Sequence, residues 1–193
     1  MAEWNDELAT RFYENAERVS VSVTVQRSAA DVYAACSGLS GLPRFVEQLD
    51  SVTRPSAGRA LWRVRNMDGR PLEWEAEILD EEPGRLIAWR SGGDAPVPNA
   101  GSITLRELSF CRGTEVKVVV DYMPHRGRFS KTETDPARNP RAVIQAALFR
   151  LRQLLETGEV ATTKGQPSGR EGGRDDAGSG DERRVPVQKE GTP

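Results

Sequence analysis

The sequence predicts an α+β fold, a curved antiparallel sheet of about seven strands wrapped on one long C-terminal helix, with two short helices after the first strand. VSVSVTV, residues 19–25, alternates valine with serine or threonine. Six short strand-like runs separated by turn residues then fill Ser51 to Met123, and one helical pattern runs from Asn139 to Gly158.

In the opening strand Val19, Val21, Val23 and Val25 share one face and Ser20, Ser22 and Thr24 the other, the pattern of a half-buried strand. Before it, Trp4, Leu8 and Phe12 stand at helical spacing, so residues 1–18 read as an N-terminal extension, partly helical. After it, Ser28 can cap a helix through AADVYAAC, and Gly38 and Gly41 break the helical pattern before LPRFVEQL. Two short helices fit better than one, with Pro43 at the start of the second, where its missing N–H costs nothing.

The meander is SVTR, ALWRVRN, PLEWEAEIL, RLIAWRS, GSITLREL and TEVKVVVDYM. A two-residue Asp68-Gly69 turn would set Trp62 against Glu75. A three-residue Met67-Asp68-Gly69 loop pairs Trp62 with Trp74, Val64 with Leu72 and Arg63 with Glu73, which keeps apolar side chains on one face. The same reasoning pairs Ile78 with Ile87, Ala76 with Trp89 and Glu75 with Arg90 across DEEPGR. Across LSFCRG it pairs Ile103 with Val118 and Arg106 with Glu115. Glu73, Glu75, Glu77, Arg63, Arg65 and Arg90 then form an outer lattice of ion pairs. In the final helix Asn139 is the N-cap, Pro140 the first helical residue and Gly158 the residue past the end. Val143, Ile144, Ala147, Leu148, Leu151, Leu154 and Leu155 make a stripe for lying on the sheet, and Phe149 is the odd apolar residue on the other side.

A chain of 193 residues fits one domain with a single core. Its net charge of -2 comes from interspersed acids and bases, so no basic field points to nucleic acid. The two cysteines, Cys36 and Cys111, lie far apart without a CxxC, which suits a reduced cytoplasmic protein and indicates neither a metal nor a cofactor. The N-terminus lacks an apolar signal region, and no apolar run approaches the roughly 20 residues of an integral membrane segment. From Thr163 to Pro193 the aliphatic residues are Ala177, Val185 and Val187. The expected organisation is a domain over 19–158 and a disordered polar tail over 159–193.

Trp62, Trp74 and Trp89 project from neighbouring strands onto the face that the long helix covers. Either they fill a core, or they line a cavity. Three indoles whose N–H groups need partners are awkward in a close-packed core and suit a wall. Asn66, Ser91 and Tyr122 share the inward parity and lie at strand ends that meet at one edge, near the start of the long helix. Such tips could orient an amphiphilic molecule, although strand ends are also polar simply because they meet water. Tyr122 is the one titratable group expected inside. His125, the sole histidine, follows in the next loop without a fixed carboxylate partner, and these two are the candidates for proton transfer. Cys36 reads as a small buried helix residue and Cys111 as a turn residue, neither with an activating neighbour.

The order of elements, together with RSAADVYAACSGLSGLPRFVEQLDSV and LEWEAEILDEEPGRLIAWRS, resembles the START-like superfamily, the helix-grip (Bet v 1-like) fold that includes polyketide cyclase/dehydrases and coenzyme Q-binding proteins. GTEVKVVVDYMP and RLRQLLETGEVATTKGQPSG are similar to an actinobacterial cyclase/dehydrase-like branch of these SRPBCC proteins. The resemblance spans Val19 to Gly169 and implies a hydrophobic tunnel between sheet and helix. By that analogy Leu42, Pro43 and Phe45 form its rim, facing the loop HRGRFSKTETDPARNP, residues 125–140. Trp62, Val64, Trp74 and Trp89 then make the sheet wall, Asn66, Ser91 and Tyr122 the polar end, and Ile144 and Leu148 the helix wall.

The function expected on this basis is binding of a hydrophobic or aromatic small molecule, such as a polyketide, quinone or lipid. A polyketide aromatase/cyclase using Tyr122 is the alternative, and a protein- or ribosome-interaction module a second. If the tail is a solvated appendage, trimming the chain after Gly169 leaves the melting temperature unaltered; a shift of several degrees by calorimetry would mean that the tail docks.

Overall fold

A strand buries alternate side chains, so the face each residue occupies is decided by register. The computed structural model describes residue 13 and residues 15–65, 71–93, 95–96, 98–109, 112–123 and 139–160. The expected helical spacing of Trp4, Leu8 and Phe12, the Met67–Gly69 loop, Asn66, Cys111, His125 with most of its loop, and the tail from residue 161 lie outside the described residues.

The chain runs through β1 (Glu17–Val25), α1 (Ala29–Cys36), two 3-10 turns (Ser37–Leu39 and Leu42–Arg44), β2 (Leu49–Ser56), β3 (Arg59–Arg65) and β4 (Pro71–Glu82). It continues through β5 (Leu86–Ser91), β6 (Asn99–Leu108), β7 (Gly113–Tyr122) and α2 (Pro140–Thr157). The strands form one curved antiparallel sheet in the order β1-β7-β6-β5-β4-β3-β2, a meander whose first strand returns to pair with its last.

The caps are those the sequence predicts. Ser28 Oγ accepts the Asp31 N–H at 3.1 Å, and Asn139 Oδ1 accepts the Arg141 N–H at 3.0 Å with Pro140 following it. Gly158 ends α2 at φ +83°, its N–H bonded to the Leu154 carbonyl at 3.0 Å. The second short helix is a single 3-10 turn, Leu42–Arg44, with Pro43 near its start. Gly41 must be glycine, because a Cβ there would lie 2.0 Å from the Ala35 carbonyl oxygen. Ala147, Leu148 and Leu151 of α2 are buried and Ile144, Leu154 and Leu155 pack beside them. Phe149, on the opposite side, is 52% exposed.

Across β3–β4 the register is Trp62↔Trp74, Val64↔Leu72 and Arg63↔Glu73, and across β6–β7 it includes Ile103↔Val118 and Arg106↔Glu115, all as the hydrophobic pattern requires. The β4–β5 pairing differs from expectation. Ile78 faces Trp89 rather than Ile87, Ala76 faces Ser91 rather than Trp89, and Arg90 faces Glu77 rather than Glu75. The cause is a tight turn at residues 83–85, with Gly84 at φ +77°, and a bulge between Ile78 and Asp80. Together they slide the partners by two residues, which preserves every face before the bulge.

The outer face carries the ion-pair lattice, including Arg59–Glu75, Arg63–Glu73, Arg90–Glu77 and Arg106–Glu115. These pairs are exposed, contribute about 0–1 kcal/mol each, and serve mainly to favour the register. Arg18–Asp121 is different: the carboxylate is fully buried and bound bidentately at 2.8 and 3.0 Å, clamping β1 to β7.

Beyond the bulge the parity of β4 inverts, and Glu81 joins Ile87 on the inner face. There it accepts the Tyr33 hydroxyl at 2.7 Å and both Arg54 terminal nitrogens at 2.8 and 2.7 Å. Arg54 also donates to the Gly38 and Ala57 carbonyls at 3.2 and 2.8 Å, so the cluster ties α1 and the turn after it to β2 and β4. The Arg54 hydrogen bonds hold the Glu81 carboxyl below the usual glutamate range, against the effect of burial and with help from Tyr33. A depressed carboxylate stabilises the fold above its unfolded pKa, and that contribution is lost as pH falls through the folded value. Glu81→Gln should therefore melt about 2–6 °C below the wild type at pH 7, with the gap closing as pH falls below about 4 in a thermal melt series. A gap that stays constant over that range would refute the linkage.

Candidate functional site

Strands β3, β4 and β5 each contribute one indole to the inner face. Trp62 and Trp74, cross-strand partners, stack with ring centroids 6.2 Å apart and planes 10° apart. Trp89 approaches Trp62 across the intervening strand at 5.8 Å and 36°. Room for this comes from small neighbours. Ala60 and Ala76 pair beside the rings, and Gly101 faces Trp89 across β5–β6, where an added Cβ would lie 2.5 Å from Trp89 Cζ2.

Of the two buried indoles, one has a hydrogen-bond partner and the other has none among the described residues. Trp89 Nε1 donates to Asn99 Oδ1 at 3.1 Å. Trp62 is 8% exposed, and its Nε1 is buried without a hydrogen-bond partner among the described residues. Trp74 is half-buried. Leu42, Phe45, Val52 and Leu148 are buried in the same core cluster as Trp62 and Trp89, and Ile144 packs against that cluster. Val64 is half-buried, paired with Leu72 and Leu49. Phe45, expected at the rim, is 4% exposed.

Ser91 and Tyr122 lie at the same end of the sheet, and both are engaged with protein groups. Ser91 Oγ accepts the Asn99 N–H at 2.9 Å and meets the Tyr13 hydroxyl at 3.2 Å. Tyr122 donates to Glu17 Oε2 at 2.6 Å. Burial, reinforced by that carboxylate, pushes its hydroxyl up to about 12, which makes it a poor proton donor near neutrality. Asn66 and His125 are outside the described residues.

Sequence reasoning missed two contributors. Tyr13 adjoins the apolar spacing of the N-terminal segment, and its hydroxyl reaches the Ser91–Asn99 corner. Glu81 was hidden by the bulge, for which the signal is the loss of alternation at Ile78-Leu79, two apolar residues in succession. Between α1 and β5–β6, the gap lined by Tyr33, Cys36, Ile87 and Ile103 leaves no room for a water molecule. Burial pushes the Cys36 thiol up to about 12, so it is chemically inert. Among the described residues no three histidine, cysteine, aspartate or glutamate side chains gather as metal ligands would, and no helix is long and apolar enough to cross a membrane.

The inner face thus carries a cluster of three indoles, two of them buried, in which the enclosed Trp62 N–H has no acceptor among the described residues. Known proteins sharpen its context. A profile of the family described as polyketide cyclase / dehydrase and lipid transport matches residues 16–156. A solved structure from Deinococcus radiodurans is 32% identical, with a TM-score of 0.59 over 74% of this chain and 100% of that one. The Zhui aromatase/cyclase of Streptomyces sp. R1128 shares 18% identity and a TM-score of 0.55 over 76% of this chain and 100% of its own. A START superfamily protein of Mycobacterium smegmatis shares 16% and 0.53, over 71% and 98%. These last two establish the helix-grip fold alone. No curated protein matches the chain in sequence. With a profile that spans β1 to the end of α2 and a relative covered over its whole length, the chain belongs to the polyketide cyclase / dehydrase and lipid transport family.

Proposed function

We propose that the protein binds a hydrophobic, ring-bearing small molecule between the sheet and α2, a polyketide, quinone or lipid-like ligand. The observation that carries this reading is the cluster of Trp62, Trp74 and Trp89, with Trp74 left half-buried at its margin. Burying apolar area at about 25 cal/mol per Å² makes such a surface a source of affinity for any flat apolar partner. The family's description, which couples cyclase chemistry with lipid transport, agrees with a domain that encloses apolar molecules. The interspersed charge supplies no basic field for nucleic acid, and the widely spaced cysteines favour a cytoplasmic setting.

An aromatase/cyclase reading would use Tyr122, with Asn66, Ser91 and His125 orienting a chain. It is weaker, because Tyr122 is committed to Glu17 and Ser91 to Tyr13 and Asn99. Glu81, an acid on the inner face beyond the bulge, is committed to Arg54 and Tyr33. Positioning and enclosure, rather than acid–base work, is what these side chains support.

Titration with 1-anilinonaphthalene should quench tryptophan emission saturably in the wild type. Trp74→Ala, at a half-buried site where folding is tolerant, should weaken that binding about tenfold or more. Unchanged affinity in a variant with a native melting profile would refute the tryptophan wall.

A further inference from the structure

We propose that Trp62 Nε1 is a specificity-determining donor, and that the ligand class is a planar ring system carrying an exocyclic acceptor oxygen, an aromatic ketone or quinone, in preference to a hydrocarbon or a simple acyl chain. This rests on the binding reading above and says which molecules the same surface selects.

A buried N–H without an acceptor forfeits its hydrogen bond to water and gains nothing in return, which is why such groups are rare in folded proteins. Trp62 is 92% enclosed by the fold, being 8% exposed, and its Nε1 has no partner among the described residues. The residues that face it across both neighbouring strands, Val52 and Trp74, carry no side-chain acceptor, and its closest ring neighbours are the other two indoles. Trp89, in the same cluster, has been given Asn99. The fold is therefore able to satisfy an indole on this face, and leaves this one open.

The geometry also restricts the shape of an acceptor. An indole N–H points in the plane of its ring, so a ligand stacked flat on Trp62 cannot take the bond, whereas one lying edge-on to it can. Because Trp74 lies only 10° from the plane of Trp62, a planar ligand coplanar with Trp62 is parallel to Trp74 as well. An in-plane carbonyl then meets the N–H while the rings continue the aromatic stack. A ligand that brings only donors leaves Nε1 unsatisfied. Since Nε1 is enclosed, entry requires a neighbour to yield, and the half-buried Trp74 is the ring at the margin.

A matched pair of probes separates this inference from the reading it rests on. 9-Fluorenone and fluorene have nearly the same shape and differ in the carbonyl. Displacement of 1-anilinonaphthalene from the full chain should show fluorenone binding about tenfold more tightly than fluorene. In Trp62→Phe that preference should fall to about onefold, the readout being the ratio of the two affinities rather than either alone. An equal ratio in the two proteins overturns the assignment of Trp62 while leaving apolar binding intact; failure of both probes to bind overturns the binding reading and this one with it. A second measurement uses the unaltered protein. In 15N-labelled wild type, with the indole signals assigned by substituting the tryptophans singly, saturating fluorenone should move the Trp62 indole N–H downfield and fluorene should not. An equal displacement by both probes, or none by fluorenone, overturns the proposal.

Discussion

Three indoles share one patch of one sheet face, and the small residues around them are the condition for it. Each indole occupies on the order of 200 Å² of buried surface, and inward positions along a strand recur only every second residue. Ala60 and Ala76, both essentially inaccessible, pair across β3–β4 immediately beside Trp62 and Trp74. Gly101 gives Trp89 the backbone of β6 to lie on. A larger residue at any of the three would force the rings apart or push them into α2. The identity of these small residues, as much as that of the tryptophans, lets three indoles gather on this face.

The bulge in β4 divides the inner face into two regions with opposite chemistry. On one side the alternation of Trp74, Ala76 and Ile78 continues the apolar wall. On the other, Glu81 turns inward and is neutralised in place by Arg54 and Tyr33. Gly38 belongs to that second region for a steric reason: a Cβ there would lie 2.5 Å from Arg54 Nη1 and 2.8 Å from Glu81 Oε1, in a backbone conformation at φ +56° that side chains disfavour. The turn after α1 is thus shaped by an ion pair it does not itself contain. Leu42 and Phe45, a few residues on, enter the same core as the tryptophans from the position that turn sets.

Much of this architecture was legible in the sequence because it depends on periodicity. The pairing of Trp62 with Trp74 and of Ile103 with Val118 follows from requiring one apolar face, and the caps of both helices follow from Ser28, Asn139, Pro140 and Gly158. Parity failed where a non-periodic event intervened. The turn at residues 83–85 and the bulge after Ile78 together changed three cross-strand partners, and the bulge brought an acid inside, although the faces before it were unaffected by a shift of two. Side-chain commitments were not legible either. Ser91 and Tyr122 lie at the expected end of the sheet, but nothing in their spacing shows that Tyr13 and Glu17, from the segment entering β1, take their hydroxyls. The family resemblance implies a rim position for Phe45, yet after the 3-10 turn Leu42–Arg44 its side chain is 4% exposed and part of the core.

A tightly packed core and a ligand-binding wall make similar demands on volume, so burial alone does not separate them; hydrogen-bond bookkeeping does. Trp89 has every feature of a core indole, with its ring laid over a glycine, its N–H given to Asn99, and Asn99 in turn donating to the Ser91 hydroxyl oxygen. Trp62 is as deeply buried and lies between the other two rings, yet it has no acceptor among the described residues. A phenylalanine there would fill much of the same space without enclosing an orphaned donor. Core filling therefore accounts for Trp89 but not for the Trp62 N–H, which has no acceptor among the described residues and is the group the proposed ligand would satisfy.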